Sequence, residues 1–99
     1  MIQHIMLWNY KDEVTRELQA HHERELKALV ERVPSLRGLQ FGPVVGGRNQ
    51  SFTHGFVMYF DDMDGLREYS VHPDHQAFTG PFSEACAAQV VADVEVRDS

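Results

Sequence analysis

Between Arg67 and Phe78 the chain reads REYSVHPDHQAF, with Tyr69, His72 and His75 spaced three apart and Pro73 among them. A neutral imidazole in a desolvated pocket is a general base near neutral pH. A phenol hydroxyl can donate to a carbonyl oxygen as that oxygen becomes an enolate. Together, Tyr69 and His75 suit removal of a proton from a carbon flanked by carbonyls. Six histidines are present in all. His4 alternates with Met6 and Trp8 in IQHIMLWNY (2–10), and His54 alternates with Phe56 and Met58 in FTHGFVMYF (52–60). If both strands turn these faces toward the helices, His75, Tyr69, His4 and His54 meet in one apolar pocket as a catalytic set. Met6, Trp8, His22, Leu26, Phe56 and Phe78 are then its substrate-binding walls.

Competing readings of the same residues are specific. A single histidine on an apolar face is ordinarily a core residue bonded to a backbone carbonyl. The cluster could therefore be a structural polar network. His4, His54 and His75 could also offer three nitrogens to a metal, as some catalytic zinc sites do. Their dispersal over two strands and a helix lacks any HExxH-type spacing, so neither a metal nor a cofactor is expected. No serine elbow, phosphate loop or dinucleotide fingerprint is visible. His72 is expected to cap or pack beside Pro73, and His21 to be solvated. His22 lies on the core stripe, lining the pocket or reaching its rim. The single cysteine, Cys86, sits in EACAAQ with no basic neighbour in sequence, which reads as a small buried apolar residue rather than a nucleophile.

The elements that must position these groups follow from periodicity. Residues 2–10 alternate with apolar side chains on both faces, a strand covered on two sides. Val14, Leu18, Leu26, Leu29 and Val33 recur at helical spacing over 13–33, and Pro34 ends that helix. A second strand is expected over 36–45, made irregular by Gly42 and Pro43 and hence a bulged or edge strand. Residues 46–51 form a hairpin loop and 52–60 a third strand. Asp61 or Asp62 caps a helix through MDGLREYSV that is interrupted at Pro73 and resumes in pieces to about Ala88. A last strand spans 89–96. The order β-α-β-β-α-β is the ferredoxin-like α+β arrangement, a single domain over 1–99. Its helices cover one sheet face. Ile5, Leu7, Val57 and Tyr59 make the other face apolar, which predicts a homodimer with sheets packed face to face.

Bulk properties bound the partners. A net charge of −6 without a Lys/Arg face argues against nucleic acid. No run approaches the ~20 apolar residues that span a bilayer, and no basic leader precedes an apolar segment. One unpaired cysteine fits a reducing compartment. The expectation is a cytoplasmic homodimer binding a small molecule, with neither membrane nor nucleic acid as partner.

The stretches MIQHIMLWNYKDEV, SFTHGFVMYF and LREYSVHPDHQAF, with HPxH the most specific, together resemble the stress-responsive α/β-barrel (Dabb) domain family over residues 1 to about 96. The resemblance implies a ferredoxin-like monomer and a dimeric α+β barrel. Among catalytic members the chain is similar to olivetolic acid cyclase-type polyketide cyclases, which close a poly-β-ketone by intramolecular aldol condensation. That likeness implies His75, the second histidine of HPxH, as base and Tyr69 as its partner, with His4 and His54 holding substrate. AHHERELKAL, with His22, Glu23 and Leu26, departs from the large aromatics that line the cyclase pocket. Cys86 and Gln89 stand where bulkier apolar residues are usual. A shorter or more polar dicarbonyl, or a lactone, is therefore the expected substrate of a cofactor-independent cyclase or isomerase-type lyase. The alternatives are a non-catalytic stress-response or ligand-binding barrel, and a muconolactone-isomerase-like enzyme or cofactor-free oxygenase.

Overall fold

Alternation in 2–10 builds strand β1 (Ile2–Tyr10), whose even-numbered residues turn inward: Ile2, Met6 and Trp8 are buried. The computed structural model describes residues 1–47 and 51–97. Helix α1 (Arg16–Arg32) starts three residues later than its periodicity predicts, because Thr15 caps it: the Leu18 N–H donates to Thr15 Oγ1 at 3.1 Å. Val14 therefore precedes the helix, and Leu18 is exposed rather than on the inward stripe of His22, Leu26 and Leu29. Strand β2 (Gly38–Pro43) is shorter than expected, and strand β3 (His54–Phe60) starts at His54 rather than residue 52. The loop expected between them lies partly outside the described residues.

The second helical region is two helices, α2 (Met63–Val71) and α3 (Pro73–Ala85). Asp62 caps the first, accepting the Gly65 N–H at 2.9 Å. His72 caps the second, its Nδ1 accepting the Asp74 N–H at 3.1 Å, and Pro73 fills the first helical position, where a missing N–H is harmless. Helix α3 ends at Ala85 rather than about Ala88. Strand β4 (Cys86–Glu95) takes over there because β1 runs far enough to pair Tyr10 with Cys86 across a bulge.

The sheet is ferredoxin-like, in the order β2-β3-β1-β4 with antiparallel neighbours throughout. The strands carrying His4 and His54 are thus the central, adjacent pair, and Pro43 sits on the edge strand, where its lack of a donor is tolerated. The helices pack on the even-numbered face of β1 and β3, around Met58 and Val33, both fully buried. On the opposite face Ile5 stands across from Val57 and Gln3 from Tyr59, with Val90 and Val94 of β4 alongside. Gly55 lies close under this face: a Cβ there would meet Leu7 Cδ2 at 2.9 Å, so the Leu7 side chain would have to shift. Among the described residues no helix is long and apolar enough to cross a membrane.

Candidate active site

Between the inward sheet face and α3 lies a cavity of about 190 Å³. His4, Tyr69 and His75 line it, with Met6, Leu26, Phe56 and Phe78 as apolar walls. These seven are the part of the expected set that the fold brings together.

Each polar member is held by a local feature. His75 sits in the first turn of α3, and its Nδ1–H reaches back to the Ser70 carbonyl of α2 at 3.2 Å. That carbonyl belongs to the last turn of α2, where intrahelical partners run out. The HPxH spacing thus ends one helix, starts the next and uses the second histidine to satisfy the first helix's end. Burial lowers the His75 pKa below its ordinary value, the Ser70 carbonyl opposes this, and His4 and His72 add to the lowering. The Tyr69 ring packs 4.2 Å from the His75 ring and 5.2 Å from Phe60. Burial holds its phenol well above the usual range, so it stays a neutral donor. Among the described residues its hydroxyl has no hydrogen-bond partner. His4 lies beneath, 6.0 Å from the Tyr69 ring. Its Nδ1 donates to Asp93 Oδ1 at 2.5 Å, from the residue directly opposite on β4. That bond orients the ring and leaves Nε2 for a guest.

His54 does not join them. It pairs with Trp8, whereas His4 pairs with Met58, so the two imidazoles are four residues apart along the strands, roughly 13 Å at strand rise. His54 lines a separate cavity of about 330 Å³ with Trp8, Glu23 and Phe41. Trp8 stacks on it at 5.6 Å and 23°, and its Nδ1 lies 2.7 Å from Thr53 Oγ1, whose hydroxyl donates to Asn9 Oδ1 at 2.9 Å. Burial lowers the His54 pKa, with Glu23 opposing. His22 is also elsewhere. It is 2% exposed, with its Nδ1 3.3 Å from the Tyr10 hydroxyl and its ring stacked on that ring. Burial raises Tyr10 to about 12, so the phenol keeps its proton. Trp8 and His22 are therefore not walls of the His75 cavity. The three-nitrogen metal set also comes apart, since His54 stands away from His4 and His75.

Five lining residues, Thr79, Phe82, Ser83, Gln89 and Val91, escaped the sequence reading or were seen only as departures, as did Asp93 behind His4. Thr79 lies one helical turn beyond His75, a spacing that was readable. Asp93 is placed behind His4 by the β1–β4 register alone, which periodicity does not reveal. Gln89 and Val91 close the β4 side of the cavity. Cys86 is buried, and burial pushes its thiol up to about 11 against a weaker pull from Lys11. It is protonated at neutral pH.

The ferredoxin-like sheet under its helices is joined by a sequence match to the stress responsive A/B barrel domain. The chain belongs to this family, the Dabb domain family, whose model matches residues 2–96. It is 27% identical over 94 residues to the stress-response A/B barrel domain-containing protein HS1 of Arabidopsis thaliana, covering 93% of this chain and 86% of that one. A crystal structure of an Arabidopsis thaliana protein superposes with a TM-score of 0.93 at 25% identity, covering 100% and 98% of the two chains. A dimeric ferredoxin-like protein of unknown function from Thermobifida fusca gives 0.82 at 28%, covering 96% and 90%. The hydroxynitrile lyase of Passiflora edulis gives 0.93 at 20%, covering 99% and 94%, a likeness of fold alone.

Proposed function

We propose that the chain is a cofactor-independent cyclase or isomerase-type lyase acting on a small 1,3-dicarbonyl or polyketide-like compound, in the manner of the polyketide cyclases it resembles. His75 Nε2 takes a proton from the carbon between two carbonyls. The C–H electron pair moves into one carbonyl, and Tyr69 donates to the resulting enolate oxygen. His4, fixed by Asp93, orients the second carbonyl. The carbanion-like carbon then attacks a carbonyl within the same molecule or is reprotonated elsewhere, with His75 returning the proton. One observation carries this reading: a neutral phenol with no protein partner, ring against ring with a depressed-pKa imidazole in one apolar cavity. The cavity is smaller than the ~300–1,000 Å³ of most ligand clefts, which favours a compact substrate. The test is deuterium exchange into 2,4-pentanedione. Acceleration well beyond that of an equal concentration of free imidazole supports the reading. Acceleration no greater than imidazole, with saturable binding, overturns it in favour of a non-catalytic ligand binder.

We also infer that the open sheet face, with Ile5, Leu7, Val57 and Tyr59, pairs with a second copy. Val90 and Val94 extend that apolar face, being 47% and 44% exposed in the single chain, and the Thermobifida fusca relative is described as dimeric. Val57→Asp puts an unpaired charge into such an interface while leaving the inward core untouched. Sedimentation should show twice the 11.3 kDa chain mass for the wild type and a single chain for the variant. A monomeric wild type would contradict the inference.

A further inference from the structure

Thr79 Oγ1 lies 3.0 Å from His75 Nε2 and 2.9 Å from the His75 carbonyl oxygen. One hydroxyl proton therefore faces two acceptors. His75 Nδ1–H is committed to the Ser70 carbonyl at 3.2 Å. Neutral imidazole carries a single N–H, so Nε2 then holds the lone pair. Lone pairs of nitrogen and oxygen facing at this distance repel, so in the neutral state the hydroxyl donates to Nε2. When Nε2 gains a proton its new N–H needs an acceptor. Turning the hydroxyl toward the His75 carbonyl presents Oγ1 as that acceptor without moving any heavy atom.

We propose that Thr79 is a positioning residue for His75: its hydroxyl donates to the Nε2 lone pair that the Ser70 bond fixes, then rotates to receive the N–H of the imidazolium. The inference rests on the reading of His75 as base. Substrate entry swings Oγ1 off the Nε2 lone pair by rotation about the Thr79 Cα–Cβ bond, and Oγ1 returns to accept the N–H once the carbon has given up its proton. The carbon-bound proton passes to Nε2, the C–H electron pair passes to the enolate, and the Thr79 proton stays on its own oxygen throughout. Tyr69 faces His75 from α2 and His72 from the helix junction. His4 faces it from β1, with Asp93 behind His4 on β4. None of these is altered in a Thr79 variant, so a change there reports the hydroxyl.

The experiment follows the His75 side-chain ¹⁵N shifts against pH in wild type, Thr79→Val and Thr79→Ser, alongside diketone exchange. The wild type should show an Nδ1–H neutral form. Thr79→Val should lower the titration midpoint by about one pH unit, the scale of a lost hydrogen bond to a charged group. It should also slow exchange by about tenfold in kcat with KM little changed, and Thr79→Ser should restore both. If valine crowds the helix, Thr79→Ala carries the same expectation. An unmoved midpoint in the valine or alanine variant, or no rescue by serine, overturns the assignment. Wild-type titration as described with no diketone exchange counts against the proposed reaction, while the Thr79 assignment stands on the shifts.

Discussion

His75→Ala is expected to slow deuterium exchange into a β-diketone by about 10²–10⁴-fold, the range general-base catalysis supplies. Burial depresses the pKa of this imidazole below the ordinary histidine value, so it is neutral at pH 7. His4, with its Nδ1 tied to Asp93 and its ring under Tyr69, is assigned the orienting role. Tyr69→Phe should act in the same direction by withdrawing the donor to the enolate. His54→Gln should leave exchange within about twofold, since His54 lines the other cavity and only transition-state contacts change the chemical step. The stability cost of His75→Ala should be small. It frees the carbonyl of the exposed Ser70, worth about 1 kcal/mol, so melting should shift by only a few degrees. A variant that exchanges normally but melts far lower would make His75 a structural residue.

Phe60→Ala should cost about 3–5 kcal/mol, the usual range for emptying a buried aromatic site. Phe60 is 1% exposed, and its ring lies 5.2 Å from Tyr69 and 6.5 Å from His4. Against the ~5–15 kcal/mol that holds a domain folded, the loss is a large fraction. For a chain of this length it lowers Tm by at least ~12 °C. Thermal and urea melts check this. A shift under ~4 °C would mean that the sheet–helix core is not centred on β3. The same truncation loosens the shelf under the Tyr69 ring, so exchange should fall even where the variant remains folded.

The face each residue occupies was legible because strands alternate with period two: His4, Met6 and Trp8 do turn inward together, as do Phe56 and Met58. Position along the strand was not legible. Alternation says that His54 shares a face with His4, and only the register, which pairs His54 with Trp8, shows that the two are far apart. Asp93 was invisible for the same reason. Tyr69 and His75 lie together because both are local to one junction. A proline, a capping histidine and a one-turn offset fix them without long-range pairing. Element ends failed where a single hydrogen bond decided them, as at Thr15 for α1, or where a neighbouring strand extended the ladder, as at Cys86 for β4.

The most direct test of the account compares the pH dependence of diketone exchange with the NMR titration of His75 between about pH 4.5 and 8. Burial holds this histidine below 6.5. Exchange should therefore be flat near neutrality and fall as acid protonates the base, with a midpoint below 6.5 that coincides with the His75 titration. A midpoint that follows His54 instead, or a rate indifferent to pH across this range, would contradict the assignment of His75 as the base.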